Sequence, residues 1–464
     1  MPLILPGNVA SATAGAYEVA NSCRFDGSSA KLTKSQSGTS TNDEKGTFSW
    51  WFKRSNISST QYFINMESGQ ERFQWYILTS GAFSGNYRAS NGSPDSDLAL
   101  TGTPLFRDCN AWYHCVLAWD TTQGTQLNRI RFYVNNTEYV VTQSQTIAQN
   151  TVFPMMKSSF GSDLNIFTQG SQNYCNGYAA EVVFIDGQQL TPSSFGEYDE
   201  DSPTIWKPKD VSGLTFGTIG YYLDFEDSSA LGNDVSGNDN DFTVNNLTSV
   251  DQCVDSPTNN FCTMSPLWNF ANNVTLSEGN CKIVSSGSWS GAGATIGLTA
   301  GKWYYEVKMT TLPGGGGNGR IGFFDSEVTH TSGNIFQQTN GATYFYNNDG
   351  GETQIDNSIT TADYGQVAQG SILGVALNMD DKQVTFYDDN VAIITNLALS
   401  TNGTSGIVIP SSGINTETQE YNFGNPPYSL TSAASDENGY GNFEFAPPSG
   451  YLAICSKNLG SDGG

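Results

Sequence analysis

The sequence predicts an all-β protein with two antiparallel β-sandwich domains joined by a short β-rich connector. Short segments in which apolar and polar residues alternate recur along the 464 residues, and this period of two is typical of strands with one buried face. Fifty glycines, together with many Asn, Asp and Ser residues, separate these segments as turns. We find no long stretch with helical periodicity and caps. The length suits two or three domains of ~100–200 residues each.

Changes in composition divide the chain into five parts. Strand-like segments fill two long blocks, and Asp and Asn crowd the stretch between them. We therefore predict an N-terminal arm, a first sandwich, an Asp/Asn-rich connector, a second sandwich and a C-terminal tail, at residues 1–15, 16–205, 206–262, 263–430 and 431–464 respectively.

Three segments have the pattern of strand pairs. Residues 128–141, NRIRFYVNNTEYVV, turn at Asn135 and Asn136, because Asn tolerates the positive φ of a tight hairpin. Residues 177–190, GYAAEVVFIDGQQL, are expected to turn at their Asp-Gly pair. In residues 370–390, GSILGVALNMDDKQVTFYDDN, apolar residues alternate on either side of an acidic turn. We expect each segment to form an antiparallel pair with one buried face.

The order of the strand motifs resembles two known families. TFSWWFK, WYHCVLAWD, IRFYVNNTEY and GYAAEVVFIDGQQLTPSSF follow one another in residues 16–205 as in concanavalin-like, laminin-G-type sandwiches. LTAGKWYYEVKM, GRIGFFDSE, GATYFYNNDGG and the segment at 370–390 stand in the order of a SPRY domain. The resemblance implies two jelly-roll sandwiches, one concanavalin-like and one SPRY-like, and SPRY domains usually bind proteins or peptides through their loops.

A further resemblance concerns the whole chain. The order MPLILPGN, SFGEYDEDSPTIWKPKD, PTNNF and PPSGYLAICSKNL is similar to virion structural proteins of tailed bacteriophages. It implies a tail-fibre or head-fibre component, assembled into virions in the bacterial cytoplasm, that acts as a multivalent adhesin for a host-surface glycan or protein. Other virion proteins would be its partners, and a homo-oligomer, with a trimer favoured, is expected. A capsid decoration or clamp protein and a concanavalin-fold glycan depolymerase remain alternatives.

The charge excludes some partners. Lys and Arg number 20 against 45 Asp and Glu, a formal net charge of −25. Such a chain repels phosphate backbones and anionic lipid, so we expect no nucleic-acid partner. No apolar run approaches the ~20 residues of a membrane span, so we expect no membrane insertion.

The sequence offers little for catalysis, and we expect a protein that is not an enzyme. A Ser-His-Asp triad would have to use one of two histidines, His114 or His330, and the GSWSG segment has Trp where a nucleophile elbow needs Ser. Glycoside hydrolysis needs two carboxylates on one face, ~5.5 Å apart in a retaining enzyme. Two pairs have the right i, i+2 spacing without completing a motif: Glu197 with Asp199, and Asp224 with Glu226.

Aromatic residues are the candidates for ligand binding. Strand alternation places Phe48, Trp50 and Phe52 on one face of a strand and Trp51 among polar neighbours on the other. Trp51 could therefore stack on a sugar ring, or it could pack beneath a loop. In the second block, the candidates share one strand face before a polar loop, with core packing as the alternative: Tyr344 and Tyr346.

Calcium is the only cofactor that the sequence indicates. Calcium requires six to eight oxygen ligands from a bent loop, and the stretch from Asp224 to Asp241 is rich in them. The alternative is that these side chains close Asx-turns between short strands. The candidate ligands are Asp224, Glu226, Asp227, Asp234, Asn238 and Asp239.

Overall fold

The computed structural model forms two compact units, an N-terminal unit that ends at Thr258 and a C-terminal unit that begins at Asn259. The predicted arm at 1–15 lies outside the residues that the structure describes. Among the described residues, no helix is long and apolar enough to cross a membrane. The described residues are 17–69, 71–90, 93–158, 160–200, 202–270, 274–285, 287, 289–312, 319–327, 341–348, 350–360 and 362–462.

The N-terminal unit consists of short strands and single turns of 3₁₀-helix. The 3₁₀ turns are Gln126–Asn128, Pro154–Met156, Pro192–Ser194 and Ser249–Asp251. The strands are β1 (Ser22–Asp26), β2 (Lys31–Lys34), β3 (Lys45–Arg54), β4 (Gln61–Ser68), β5 (Glu71–Ile77), β6 (Phe83–Arg88), β7 (Ser96–Leu100), β8 (Trp112–Asp120), β9 (Ile130–Val134), β10 (Thr137–Gln143), β11 (Leu164–Ile166), β12 (Asn176–Asp186), β13 (Gly196–Tyr198), β14 (Trp206–Pro208), β15 (Tyr221–Leu223), β16 (Thr243–Asn245) and β17 (Gln252–Cys253).

Except for β13 and β14, which form a separate two-stranded sheet, these strands form a sandwich whose two layers share strand β10. The hydrogen-bonded order is β16-β2-β11-β4-β5-β6-β7-β10-β9-β8-β3-β12-β1-β17, with β15 also paired to β12. Strand β10 pairs with β7 in one layer and β9 in the other. The core lies between the layers. There the ring centres of Trp50 and Phe63 are 5.1 Å apart, and those of Trp75 and Phe132 are 4.8 Å apart.

The predicted strand pair at 128–141 is confirmed, and the one at 177–190 is wrong. Asn135 and Asn136 adopt φ of 46° and 64° between β9 and β10. Residues 177–190 instead provide one long strand, β12, with no return strand. Strand β12 already pairs with β3 on one edge and with β1 and β15 on the other. A return strand therefore has no free edge to occupy.

The prediction of a separate connector at 206–262 is wrong, because most of this stretch belongs to the N-terminal sandwich. Strands β15, β16 and β17 pair with β12, β2 and β1 respectively. Leu223, Leu231 and Phe242 are buried in the main core. Leu231 and Phe242 stand singly among Asp and Asn, and no local pattern shows that the short strands of this stretch pair with the N-terminal sandwich.

The C-terminal unit holds the remaining strands and a short helix at its end, α1 (Ser456–Asp462). The strands are β18 (Met264–Phe270), β19 (Val274–Ser277), β20 (Lys282–Ser285), β21 (Ser290–Ala294), β22 (Lys302–Thr311), β23 (Gly319–Asp325), β24 (Ala342–Asn347), β25 (Glu352–Ile355), β26 (Ser358–Thr360), β27 (Ile372–Asn378), β28 (Gln383–Asp388), β29 (Val391–Ala398), β30 (Val408–Ile414), β31 (Thr418–Asn422) and β32 (Leu452–Ala453).

Two sheets face each other in this unit. One has the order β18-β21-β30-β23-β24-β25-β26 and the other β19-β20-β31-β22-β27-β28-β29, with β32 also paired to β22. Across the core, the ring centres of Phe323 and Tyr305 are 6.0 Å apart, and those of Phe345 and Phe386 are 5.7 Å apart. The predicted hairpin at 370–390 is confirmed as β27 and β28.

The predicted C-terminal tail at 431–464 is integral to the C-terminal sandwich. Strand β32 pairs in parallel with β22. Before β32 in the same segment, the backbone N–H groups of Glu444 and Phe445 each donate to the carboxylate of Glu306 at 2.9 Å. Glu306 is buried, so these bonds satisfy an acid in the interior.

Candidate functional site

The C-terminal sandwich contains a pocket of about 190 Å³ between the ends of its two sheets. We call it the end pocket. Its apolar walls come from both sheets, namely Phe323 in β23, Val408 in β30 and Leu399 just after β29. Its polar lining consists of Asp325, Thr343, Lys382, Ser400 and Thr401. The end pocket therefore combines an apolar floor with a few polar groups, as ligand sites usually do.

One side of the end pocket is a loop, residues 399–407, that crosses from one sheet to the other; we call it the crossing loop. Asp325 is buried and holds this loop in place. Its carboxylate accepts from the Ser405 hydroxyl at 2.8 Å and from the Gly406 N–H at 3.1 Å. A Cβ on Gly403 would lie 2.5 Å from Asp325 Oδ2, so this position requires glycine.

A second aspartate holds the other end of the crossing loop. The Asp356 carboxylate accepts from the Ser400 hydroxyl and the Asn402 amide, both at 2.7 Å. Ser400 also accepts from the Gly341 N–H at 3.1 Å and donates its own N–H to Thr343 Oγ1 at 2.8 Å. The acceptor groups of this wall are thus already engaged within the fold.

Lys382 is the cation of the end pocket. It lies in the turn between β27 and β28, where it adopts φ 54°. The two preceding acids are bonded elsewhere, since Asp380 accepts from the Gly301 N–H and Asp381 from the Asn378 amide, both at 2.8 Å. Among the described residues, Lys382 makes no ion pair. Its side chain is exposed, so its ammonium can turn toward a ligand in the pocket.

The expectation that Trp51 is a sugar platform is wrong. Its side chain is only 2 % exposed and stacks on His114, with ring centres 4.8 Å apart. His114 Nδ1 accepts from Trp206 Nε1 at 3.0 Å, and Nε2 lies 2.9 Å from the Ser49 hydroxyl. Burial lowers the pKa of His114 to about 3. A neutral, fully bonded imidazole beneath a buried indole is a core arrangement. The other histidine, His330, lies outside the described residues.

The two candidate tyrosines have different surroundings. Tyr344 is 1 % exposed and accepts a hydrogen bond from Ser411 at 3.2 Å, so it is a core residue. Tyr346 is half-buried, with its ring centre 4.0 Å from the guanidinium carbon of Arg320, which lies 4.3 Å from the ring of Trp289. Tyr346 contributes to a cation–π cluster, and its role in binding stays a prediction.

The carboxylates of the candidate calcium loop are turned toward backbone donors. Asp234 accepts from the N–H groups of Tyr222 and Ser236 with one oxygen and from Asn240 N–H with the other, at 2.8 to 2.9 Å. Asn238 donates to backbone carbonyls with its amide. This donor set does not fit calcium, whose ligands must turn their oxygens toward the ion.

The remaining candidate ligands form Asx-turns or stand exposed. Asp224 accepts from the N–H of Glu226 at 3.1 Å, and Asp227 accepts from that of Ser229 at 2.9 Å. Glu226 and Asp239 are exposed. Within the described parts of the chain, no group of three or more His, Cys, Asp or Glu side chains could hold a metal. The Asx-turn alternative therefore describes this stretch.

The carboxylate pairs weighed for glycoside hydrolysis are also bonded within the fold. Glu197 and Asp199 lie 4.0 Å and 3.4 Å from the ammonium of Lys207, and Asp199 accepts from the Ser202 N–H at 2.9 Å. The carboxylate of Asp224 is occupied by its Asx-turn. Neither pair lines the end pocket. The absence of enzyme activity stays a prediction.

Sequence reasoning missed the end pocket. The turn that contains Lys382 is predicted only as the acidic turn of a hairpin, yet a residue with positive φ in such a turn is usually Gly or Asn. A lysine at that place is the one signal that could have marked it. No sequence motif marks Asp325 or the crossing loop. They lie close to Lys382 only because of the order of the strands in the two sheets.

Comparisons with known families confirm the two sandwiches. Residues 26–193 match the Concanavalin A-like lectin/glucanases superfamily, and residues 302–426 match the SPRY domain. The chain therefore contains a concanavalin-like domain and a SPRY domain, both jelly-roll sandwiches, and the predicted all-β fold class is confirmed. Neither match concerns virions, so the virion role stays a prediction. No curated protein matches the chain.

Solved structures with similar folds match single parts of the chain. The SPRY domain of human HERC1 is 13% identical, with a TM-score of 0.29, and the match covers 34% of this chain and 96% of that domain. A heptameric SAP-like pentraxin from Limulus polyphemus is 16% identical, with a TM-score of 0.28, and the match covers 38% of this chain and 80% of the pentraxin. At this level of identity the likeness concerns the fold alone.

Proposed function

We propose that this chain is a recognition protein without catalytic activity that binds a host-surface glycan or protein. The observation that carries the proposal is the end pocket, with its apolar floor and its unengaged lysine. The concanavalin-like and SPRY domains support it, because both families contain binding modules. The engaged carboxylate pairs give no support to the depolymerase alternative.

The proposed setting is the virion of a tailed bacteriophage, as a tail-fibre or head-fibre component. Its support is the resemblance of the sequence order to virion structural proteins. Such a component would associate with other virion proteins and with copies of itself, a trimer being favoured. Repetition on a virion raises the avidity of a weak single site by 10²–10⁴-fold, which suits a pocket as small as this one.

Binding to bacterial cells tests the proposal. Labelled full-length chain is mixed with a panel of bacteria, and the bound fraction is measured with increasing unlabelled chain. We expect saturable binding to some strains, removed by periodate treatment for a glycan receptor or by protease for a protein receptor. Binding to no strain, together with tight binding to phage capsids, would replace the adhesin proposal with the decoration protein.

A further inference from the structure

We propose that the end pocket takes a sugar residue that carries a carboxylate, with the ammonium of Lys382 as the recognition group for that carboxylate. This inference rests on the proposed function and assigns its ligand class. Three features of the end pocket support it: the hydrogen-bond state of its polar groups, the backbone conformation of Lys382, and its size and floor.

The polar side chains of the end pocket comprise acceptors that the fold already uses and two groups that can donate to a ligand. Asp325, Ser400 and Thr343 each accept hydrogen bonds from the crossing loop or its neighbours. Among the described residues, the side chains of Lys382 and Thr401 have no such partner. Ammonium and hydroxyl groups are donors that suit a carboxylate, and hydrogen bonds to charged groups are the stronger class.

The backbone of Lys382 is in an unfavourable conformation that a glycine would adopt freely. Its φ of 54° lies in the left-handed region, and it is the only Lys or Arg with positive φ among the described residues. The left-handed region disfavours side chains other than Gly and, less so, Asn and Asp. Other non-glycine residues also have positive φ, but strain of this kind can persist at functional positions, and Lys382 is the one of them that lines the end pocket.

The size and the floor of the end pocket favour one sugar ring over a peptide segment. Its 190 Å³ falls below the ~300–1,000 Å³ of sites for drug-sized ligands. Val408 is half-buried and, with Leu399, gives the floor an aliphatic surface that can receive the apolar C–H face of a pyranose, whereas Phe323 is buried and only closes the floor. The hydroxyl of Thr401 at the rim can meet ring hydroxyls.

Retention on immobilised polymers tests the inference with the full-length chain at 150 mM salt, where the Debye length of ~8 Å screens the repulsion from the net charge. The probes are polygalacturonate, neutral dextran and poly-glutamate. We expect retention on polygalacturonate, with an affinity about tenfold lower for Lys382→Gln. Lys302→Gln is the matched control, because Lys302 begins the nearby strand β22 but does not line the end pocket; it should bind as the wild type does.

A second variant separates recognition from folding. Lys382→Gly should relieve the backbone strain and raise Tm by roughly 2–4 °C, while it lowers the affinity for polygalacturonate as much as Lys382→Gln does. A more stable variant with poorer binding is the result that a purely structural lysine cannot produce. Unchanged binding in Lys382→Gly would overturn the inference.

The other possible results also test the inference. Equal retention on dextran, or preferential retention on poly-glutamate, overturns the sugar-acid assignment, and the latter favours an acidic protein partner. If cells are bound but polygalacturonate is not, the inference fails while the proposed function stands. If neither is bound, both fail.

Discussion

At the scale of single residues, Glu181 is a buried acid of the N-terminal sandwich with an uncommon backbone conformation. It has φ 50° at a register shift in β12, and it is 5 % exposed. Its carboxyl group accepts hydrogen bonds from the hydroxyls of Tyr17 and Tyr222 at about 3.0 Å. Burial, the largest effect, raises the pKa of Glu181 from 4.5 to about 7. The folded state therefore holds a proton that the unfolded chain releases at lower pH.

This shift predicts how stability depends on pH. Below pH 4.5 Glu181 is protonated in both the folded and the unfolded state, so it does not make the free energy of unfolding depend on pH. Between pH 4.5 and 7 the unfolded state loses this proton first, and the free energy of unfolding falls by about 3 kcal/mol in total. Glu181→Gln should remove this loss. Urea unfolding of the variant and the wild type at pH 4.5 and 8 measures the difference.

The control for this prediction is Glu200→Gln, because Glu200 is an exposed acid in the same unit and is not among the charges that raise the pKa of Glu181. It should retain the pH dependence of the wild type. If Glu181→Gln and the wild type lose the same stability between the two pH values, the carboxyl group is not buried as described.

At the scale of elements, the crossing loop determines whether the end pocket exists. Gly403→Ala would place a methyl group 2.5 Å from Asp325 Oδ2. Such overpacking typically costs 1–3 kcal/mol, and we expect the loop to shift and ligand retention to fall. Thermal unfolding and polymer retention are the measurements. Gly350→Ala, whose Cβ would meet its nearest neighbour at 3.9 Å, should leave both unchanged; equal behaviour of the two variants would contradict the role of Gly403.

The C-terminal segment gives a second prediction at this scale. Removal of residues 431–464 takes away strand β32 and two donors of the buried Glu306. An unsatisfied buried acid costs several kcal/mol, so we expect the C-terminal unit to lose its cooperative unfolding transition. Calorimetry of the shortened chain checks this, and a transition at the wild-type temperature would show that the segment is a dispensable tail.

The same elements show what sequence reasoning could and could not predict. Alternation of apolar and polar residues, together with the Asn135-Asn136 pair, is enough to predict a local hairpin, because the tight turn and the buried face fix how the two adjacent strands pair. The partners of β15 and β16 could not be predicted, since strands of three residues are too short to give a periodic signal. The end pocket could not be predicted either, because Asp325 and Lys382 meet only through long-range strand order.

At the scale of the whole molecule, each unit has its own hydrophobic core. Burial of a separate core is what lets a domain fold alone. We expect residues 17–258 and 259–464, expressed separately, each to unfold cooperatively. Near-ultraviolet circular dichroism and calorimetry of the two fragments provide the test, and a fragment without a transition would mean that its unit depends on the rest of the chain.

The central claim is that the chain recognises a surface glycan or protein and leaves it intact. The most direct measurement incubates the full-length chain with isolated host-surface polysaccharide and follows retention and new reducing ends over hours. We predict retention without new reducing ends. Reducing ends that accumulate in proportion to protein concentration would contradict the claim and turn attention to Glu197 with Asp199. The absence of both retention and cleavage would contradict glycan recognition altogether.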